Sequence, residues 1–397
     1  VATCSFTEAR AKIIERVSGL RNPVPEAVAL QQAAGRVLAE PVRADRDYPP
    51  VARSIRDGYA VRAADGAGRR RIIGEVRAGA TFPGVLGAGE CVEIMTGAPV
   101  PAGADAVVMV EHTHREGDEM VTARLPQPGE FVNPQGAEAR RGDVVLEPGV
   151  RLLFPQIALL ATYGYQEVSV YRKPRVAILS TGDEVVPVGI TPRDNQVRNS
   201  NAWAVAAQIE RAGGEPVILP VAPDEPEATA RLIETGLEQD MLLLSGGVSA
   251  GKYDYVEPVL ARFHAEFVFD RVLIQPGQPL VFGVARGKPF FGLPGNPAST
   301  MVCFHVFARA ALELLAGQAV AELPMPFARL THAFKHKPGL TRFLPARLSA
   351  DARQVTHIPW QGSSDVAAIA RGNAFLVAEP DKPSYAEGEE IAVILYA

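Results

Sequence analysis

Arg175-Val176-Ala177-Ile178-Leu179-Ser180-Thr181-Gly182-Asp183-Glu184 is an apolar run that breaks into a loop of hydroxyls, glycine and carboxylates. A short apolar run bounded by turn formers is the pattern of a strand buried on both faces. Two later runs end the same way. Residues 241–244 lead into Ser245-Gly246-Gly247-Val248-Ser249-Ala250-Gly251, and Phe290-Phe291 leads into Gly292-Leu293-Pro294-Gly295-Asn296-Pro297. Strands predicted at 175–179, 216–221, 241–244, 280–284 and 289–291 alternate with helices predicted over 201–212, 226–237, 254–263 and 297–315. Such alternation implies a parallel or mostly parallel sheet covered by helices.

Outward from this region the pattern changes. Ser5-Phe6-Thr7-Glu8 is a capping box, and the apolar residues after it recur at helical spacing as far as Ser18, before Gly19. A second short helix is expected after Pro25, carrying Val28, Leu30 and Ala33. Residues 45–128 are short apolar runs cut by Gly and Pro, the signature of a small β domain. A helix-like run at 155–163 lies in a connecting region, and the tail from 322 returns to short strands at 375–377 and 391–395. The expected division is 1–22 with 171–321, 23–44 with 129–170, 45–128, and 322–397.

The chain has 397 residues, too many for one small module. With 47% hydrophobic and 21% charged residues, and no run of 18 apolar ones, it is expected to be water-soluble rather than disordered or membrane-spanning. Forty Lys and Arg against 45 Asp and Glu give a net charge of -5, which disfavours nucleic acid or an anionic membrane as partner. Three dispersed cysteines, Cys4, Cys91 and Cys303, offer neither a disulfide framework nor a Cys-x-x-Cys metal site, and a cytoplasmic location is expected. The first 17 residues interleave charged with apolar side chains, unlike a secretory signal.

In open α/β sheets, ligands bind beyond the carboxyl ends of the strands. The three glycine-containing loops belong there. Their amides can converge on an anion, and Ser245, Ser249, Asn296 and Ser299 can add side-chain hydrogen bonds. Asp183, Glu184, Asp224 and Asp254 suit a magnesium ion that keeps its waters and bridges to phosphate oxygens. The competing reading is three tight turns. A Walker A loop and a Gly-x-Gly-x-x-Gly fingerprint are both absent, which disfavours P-loop ATPases and dinucleotide oxidoreductases.

Five segments resemble, in order, those of the molybdopterin molybdenumtransferase family, the MoeA proteins and the gephyrin E-domain. They are Asp57-Gly58-Tyr59-Ala60-Val61, Ile94-Met95-Thr96-Gly97-Ala98-Pro99-Val100-Pro101, Ser180 to Glu184, Ser245 to Ser249 with Asp254-Tyr255, and Gly292 to Ser299. The resemblance implies an elongated, four-domain subunit with a three-layer α/β molybdopterin-binding domain, smaller β domains and a C-terminal β-barrel-like domain. It implies a homodimer, with molybdopterin adenylyltransferase and other proteins of the cofactor pathway as partners. The implied reaction inserts molybdenum from molybdate into adenylylated molybdopterin, with magnesium, and releases AMP. By similarity, Asp57, Thr96, Glu184 and Asp254 are catalytic, and Asp183, Glu184, Asp224 and Asp254 hold metal. Substrate binding falls to Thr181, Gly182, Ser245, Gly246, Gly247, Ser249, Gln275, Gln278, Pro294, Asn296, Pro297 and Ser363.

The chain departs from the family pattern at several points. Gln275-Pro276-Gly277-Gln278-Pro279 stands where the family carries two lysines, and the arginines expected after Pro338-Gly339 are displaced, leaving Arg342 or Arg347 as substitutes. Arg56 replaces a methionine, and Gly136-Ala137-Glu138 replaces Gly-Glu-Asp. These changes leave a second reading open, a pterin-nucleotide carrier with lost or altered oxyanion specificity, and they leave tungstate open beside molybdate. Other motifs read as structural: His112 with His114 and His332 with His336 as surface residues, Arg69-Arg70-Arg71 as a solvated edge, and Cys303 as core packing.

Overall fold

The computed structural model describes residues 2–246 and 256–396, which form two compact units. One comprises 1–39, 148–153 and 168–397; the other comprises 40–147 and 154–167.

The first unit is built on a seven-stranded sheet, in the order Ala2–Cys4, Glu266–Val272, Val281–Ala285, Lys288–Leu293, Met241–Ser245, Arg175–Ser180, Glu215–Ile218. Four of its pairings are parallel, as the alternation predicts. The two made by Val281–Ala285 are antiparallel. Only Arg286 and Gly287 join that strand to Lys288–Leu293, both with positive φ (49° and 73°), which is a hairpin turn and far too short for a parallel crossover. Ala2–Cys4 and Glu266–Val272 escaped the sequence reading. One is only three residues long, and the other breaks its apolar run with Asp270-Arg271 and so lacks a clean period of two.

The side-chain period of two sorts this sheet into two faces. Val176, Ile178, Met241 and Leu243 pack with the helices Phe6–Ser18, Ser200–Ala212 and Pro297–Cys303. Ala177, Leu179, Leu242 and Leu244 pack on the other side with Ile233, Leu237, Val259 and Leu260. The layers are therefore helix, sheet, helix. The Ser5 capping box forms as read, with the Ser5 hydroxyl accepting from Glu8 N and the Glu8 carboxylate from Ser5 N. The helix expected after Pro25 does not form: Pro25–Ala29 is a strand paired with Glu167–Tyr171, followed by one 3₁₀ turn at Leu30–Gln32. A segment this short cannot meet the cost of helix nucleation, whereas pairing satisfies its backbone at once.

The predicted helix at 297–315 is Pro297–Cys303, a π-helical turn at Phe304–Ala308, and Arg309–Leu315. It is long and apolar enough to cross a membrane, yet 78% of its most apolar window is buried inside the unit, so it is a core helix. Cys303 is fully buried, its Sγ 3.6 Å from the Gly277 carbonyl, and burial pushes its thiol pKa up. His305 in the π turn is lowered from 6.5 to about 4, chiefly by burial and then by the Arg309 charge. Below pH 6.5 the unfolded chain takes up this proton and the folded chain does not, so stability falls as pH drops towards 4. Thermal midpoints are expected to decline across that window, with about 3 kcal/mol at stake, and His305→Asn is expected to flatten the decline.

A closed five-stranded barrel follows: Thr341–Leu348, Gln354–His357, Phe327–Leu330, Glu390–Leu395 and Ala374–Ala378, the last pairing back to the first. Leu344, Leu376 and Val393 fill it, while Phe343, Phe375 and Ile394 join the core of the α/β sheet. Closure leaves no edge among these five strands.

The second unit carries a six-stranded sheet in the order Ala106–Met109, Gly58–Val61, Glu90–Ile94, Gly68–Val76, Glu119–Thr122, His114–Glu116. Gly58 is required where it stands, because a Cβ there would lie 2.0 Å from the Val108 carbonyl oxygen. The expectation of a solvated Arg69-Arg70-Arg71 edge is corrected by strand alternation. Arg69 and Arg71 point out to Glu116, Glu119 and Glu90, whereas Arg70 is 2% exposed and donates to the Gly66 carbonyl. The helix-like run at 155–163 is the helix Phe154–Thr162.

Candidate active site

Three strands of the first unit, Arg175–Ser180, Met241–Ser245 and Lys288–Leu293, end side by side at a cavity of about 720 Å³. Thr181, Glu184, Ser245, Gly246, Pro294, Asn296 and Pro297, all expected in the site, line it. Gly182 lies behind Glu184: a Cβ there would fall 2.4 Å from the Glu184 Oε2. Ser363 sits one residue from the lining residue Ser364, and its hydroxyl accepts a 2.9 Å hydrogen bond from Asn296 Nδ2. The Ser363 carbonyl accepts from Ala298 N, so this loop is fastened to the start of the helix Pro297–Cys303.

For three of the loop amides the expected role needs correcting. Thr181 N donates to Ser245 O (3.1 Å), Gly182 N to Ala222 O (3.2 Å) and Gly246 N to Leu293 O (3.3 Å). These amides tie the loops to one another and are not free for an anion. Gly246 holds φ at +90°, and a Cβ there would meet the Thr181 carbonyl at 3.0 Å. Gly182 and Gly246 thus serve close loop packing, and among the described residues further groups are available to receive the ligand.

Those groups come from a segment that the motif reading passed over, because polar side chains at a helix start read as ordinary capping. Arg198, Asn199, Ser200 and Asn201 all line the cavity. Asn199 caps the helix Ser200–Ala212 by accepting from Ala202 N, and Ser180 Oγ lies 3.0 Å from the same Asn199 oxygen. The amino end of this 13-residue helix, with the first-turn amides that Asn199 does not cap and the positive end of its dipole, therefore opens on the cavity. Asn201 Nδ2 donates to both Ser245 Oγ (2.9 Å) and Gly295 O (2.8 Å), while its Oδ1 is buried with no hydrogen-bond partner. Arg198 is held by the Val188 and Ile190 carbonyls and supplies a cation at the rim.

Of the expected metal ligands, Glu184 lines the cavity. Asp183 accepts from the backbone N of Asp224 (3.2 Å), which brings those two residues together. Among the described residues no group of three metal-ligating side chains is assembled. A magnesium ion that keeps several waters needs only one or two carboxylates besides the substrate's phosphates, so this donor set fits the ion. Gly247, Ser249 and Asp254 lie outside the described residues.

Gln275 is exposed, and its register partner on the neighbouring barrel strand is Arg342. Of the two candidate substitutes, Arg342 is thus the one beside Gln275; Arg347 donates instead to the Arg371 carbonyl. Gln278 accepts from Val272 N through its carbonyl, and its neighbour Pro279 lines the cavity. Asp57 and Thr96 belong to the second unit and form a pair of their own. Thr96 donates to Asp57 Oδ1 from its backbone N (2.6 Å) and its hydroxyl (3.0 Å), which holds the Asp57 carboxyl below the usual carboxylate range.

Three family models match the chain in sequence: the MoeA N-terminal region (domain I and II) over residues 4–164, a probable molybdopterin binding domain over 177–314, and the MoeA C-terminal region (domain IV) over 328–396. Two relatives named molybdopterin molybdenumtransferase are close over almost their whole length. The one from Staphylococcus aureus strain Mu50 is 32% identical, covering 96% of this chain and 94% of its own, and that from Bacillus subtilis strain 168 is 34% identical, covering 93% and 89%. Two crystal structures of a molybdopterin biosynthesis MoeA protein from Pyrococcus horikoshii each cover both chains completely, at 33% identity with a TM-score of 0.75 and at 27% with 0.82. The order of the loops, the cavity they build and these matches agree, and the chain belongs to the MoeA family of molybdopterin molybdenumtransferases.

Proposed function

We propose that this chain works in molybdenum cofactor biosynthesis by inserting molybdenum from molybdate into adenylylated molybdopterin, with magnesium, and releasing AMP. The observation that carries the proposal is the cavity at three strand ends, with a helix amino terminus, Arg198 and Asn201 on its wall and a carboxylate, Glu184, at its rim. Cleaving a phosphoanhydride develops charge on the departing phosphate, and donors fixed in advance stabilise that charge without reorganising. Asn201, Asn296 and Ser245 are fixed by one another's loops, and the helix amino end adds a positive partial charge at no desolvation cost. Magnesium, held by Glu184 with Asp183 or Asp224, would neutralise phosphate charge. The Asp57–Thr96 pair supplies a carboxylate whose ionised form the two Thr96 hydrogen bonds favour.

The proposal extends to a homodimer, to molybdopterin adenylyltransferase as the partner that delivers substrate, and to a cytoplasmic setting. The test is AMP release from adenylylated molybdopterin. We expect it to require both molybdate and magnesium, and to yield cofactor that activates a molybdenum enzyme stripped of its own. Nucleotide binding with no molybdate-dependent AMP release would refute the insertion reaction and leave the carrier. Light scattering at micromolar concentration is expected to give twice the chain mass; a monomer mass would remove the dimer.

A further inference from the structure

The first unit contains a second cavity, of about 330 Å³. Both cavities touch the helix Ser200–Ala212, the first at Ser200 and Asn201 and the second at Gln208, Arg211 and Ala212. At 1.5 Å rise per residue, the two ends are separated by roughly 15 Å. The run that begins at Pro297 does the same, giving Pro297 to the first and Met301, Phe304, His305 and Arg309 to the second. The second cavity is thus a separate chamber at the far ends of the same two helices.

Its walls have a definite chemistry. Met301, Phe304, Ile369, Phe375 and Tyr396 supply apolar surface, and the rings of Phe375 and Tyr396 lie 4.5 Å apart. Three guanidinium groups, Arg151, Arg211 and Arg309, line it together with a single carboxylate, Glu313, which lies 3.4 Å from Arg309 Nε. His305 adds no charge at neutral pH, because burial and the arginines hold it at about 4. The lining therefore keeps a surplus of two positive charges in a pocket with aromatic walls. Gln208 Oε1 is buried there without a hydrogen-bond partner, while the amide nitrogen Nε2 of the same side chain donates to the Met301 carbonyl. The wall residues Phe304 and His305 lie on the π-helical turn, a distortion that occurs frequently at functional sites.

We infer that this cavity is a binding site for an aromatic carboxylate, its ring against the wall that Met301, Phe304, Phe375 and Tyr396 form and its carboxylate against Arg211 and Arg309. Planar guanidinium groups match a carboxylate through paired hydrogen bonds. A single negative charge is favoured over a phosphate dianion, because Arg309 is already paired with Glu313 and Arg151 is committed to the Gly35 and Ala212 carbonyls, so the donors free to meet a second charge are few.

The test is calorimetric titration of the full chain with 2-naphthoate, 2-naphthalenemethanol and 2-naphthyl phosphate. We expect naphthoate to bind about tenfold more tightly than the alcohol and the phosphate ester. Arg211→Gln, at an exposed position that does not carry the fold, and Arg309→Gln are each expected to weaken naphthoate about tenfold, the loss of one charged contact. Asn201→Leu, in the first cavity, is expected to leave naphthoate binding unchanged whether or not the proposed transferase activity holds. Equal affinity for the alcohol, tighter binding of the phosphate ester, indifference to both arginine variants, loss of binding in Asn201→Leu, or no heat from naphthoate at millimolar concentration would each overturn the assignment.

Discussion

Asn201→Leu is expected to lower molybdate-dependent AMP release by about 100-fold while shifting the thermal midpoint by only about 2–4 °C. The side-chain amide of Asn201 bridges two of the three strand-end loops directly, through Ser245 Oγ at 2.9 Å and Gly295 O at 2.8 Å. Leucine has nearly the same shape and neither donor. Leaving a buried acceptor unpaired costs about 1–3 kcal/mol, but here a cavity of about 720 Å³ adjoins both acceptors, and water can take the place of the amide. The stability loss therefore falls at the low end. Catalysis is affected differently, because a misplacement of about 1 Å among positioning groups is worth about two orders of magnitude. Asn201→Asp, which keeps the shape and loses the donor, is expected to be at least as impaired, since it also brings a negative charge towards an anionic substrate. Turnover within threefold of the parent in Asn201→Leu would show that the two loops are held in register by the backbone bonds of Thr181, Gly182 and Gly246 alone.

This division of labour explains what could be read in advance. The buried strands were legible because an apolar run ending in glycine has few structural alternatives, and Arg175–Ser180, Met241–Ser245 and Lys288–Leu293 lie where the runs place them. That the loops after them meet at one cavity was legible for the same reason. What the glycines do there was not legible. A positive φ at Gly246 serves anion binding and loop packing equally well in the sequence, and only the hydrogen-bond partners of the neighbouring amides separate the two. Asn201 was missed because a polar residue in a first helical turn carries no signal of a second loop arriving from residue 295. Arg70 was misread because three consecutive arginines look uniformly solvated, while the strand's period of two forces the middle one inward. The segment after Pro25 failed through pairing, since its partner strand at Glu167–Tyr171 lies about 140 residues away, beyond the reach of local pattern.

Restoring two cations by Gln275→Lys with Gln278→Lys is expected to lower the half-saturating molybdate concentration by about 30-fold to 100-fold. Molybdate is a dianion, and taking it out of water demands charged or donor partners in proportion. A hydrogen bond from a charged donor is worth about 1.5–3 kcal/mol against about 0.5–1.5 for a neutral one, so each lysine gains roughly a factor of five to ten. The two positions are not equivalent. Gln275 has Arg342 as its register partner, so a lysine there gains an oxyanion contact and meets a like charge on the next strand. Gln278 is half-buried beside Pro279, on the cavity wall, and its backbone carbonyl is already fixed by Val272 N, so its side chain can change without moving the chain. Gln278→Lys alone is therefore expected to give more than half of the combined gain in free energy, and added salt is expected to erode the gain at Gln275 first because that site is exposed. A molybdate requirement that does not move in the double variant would place the oxyanion elsewhere and make Arg198, the cation at the cavity rim, the next residue to replace.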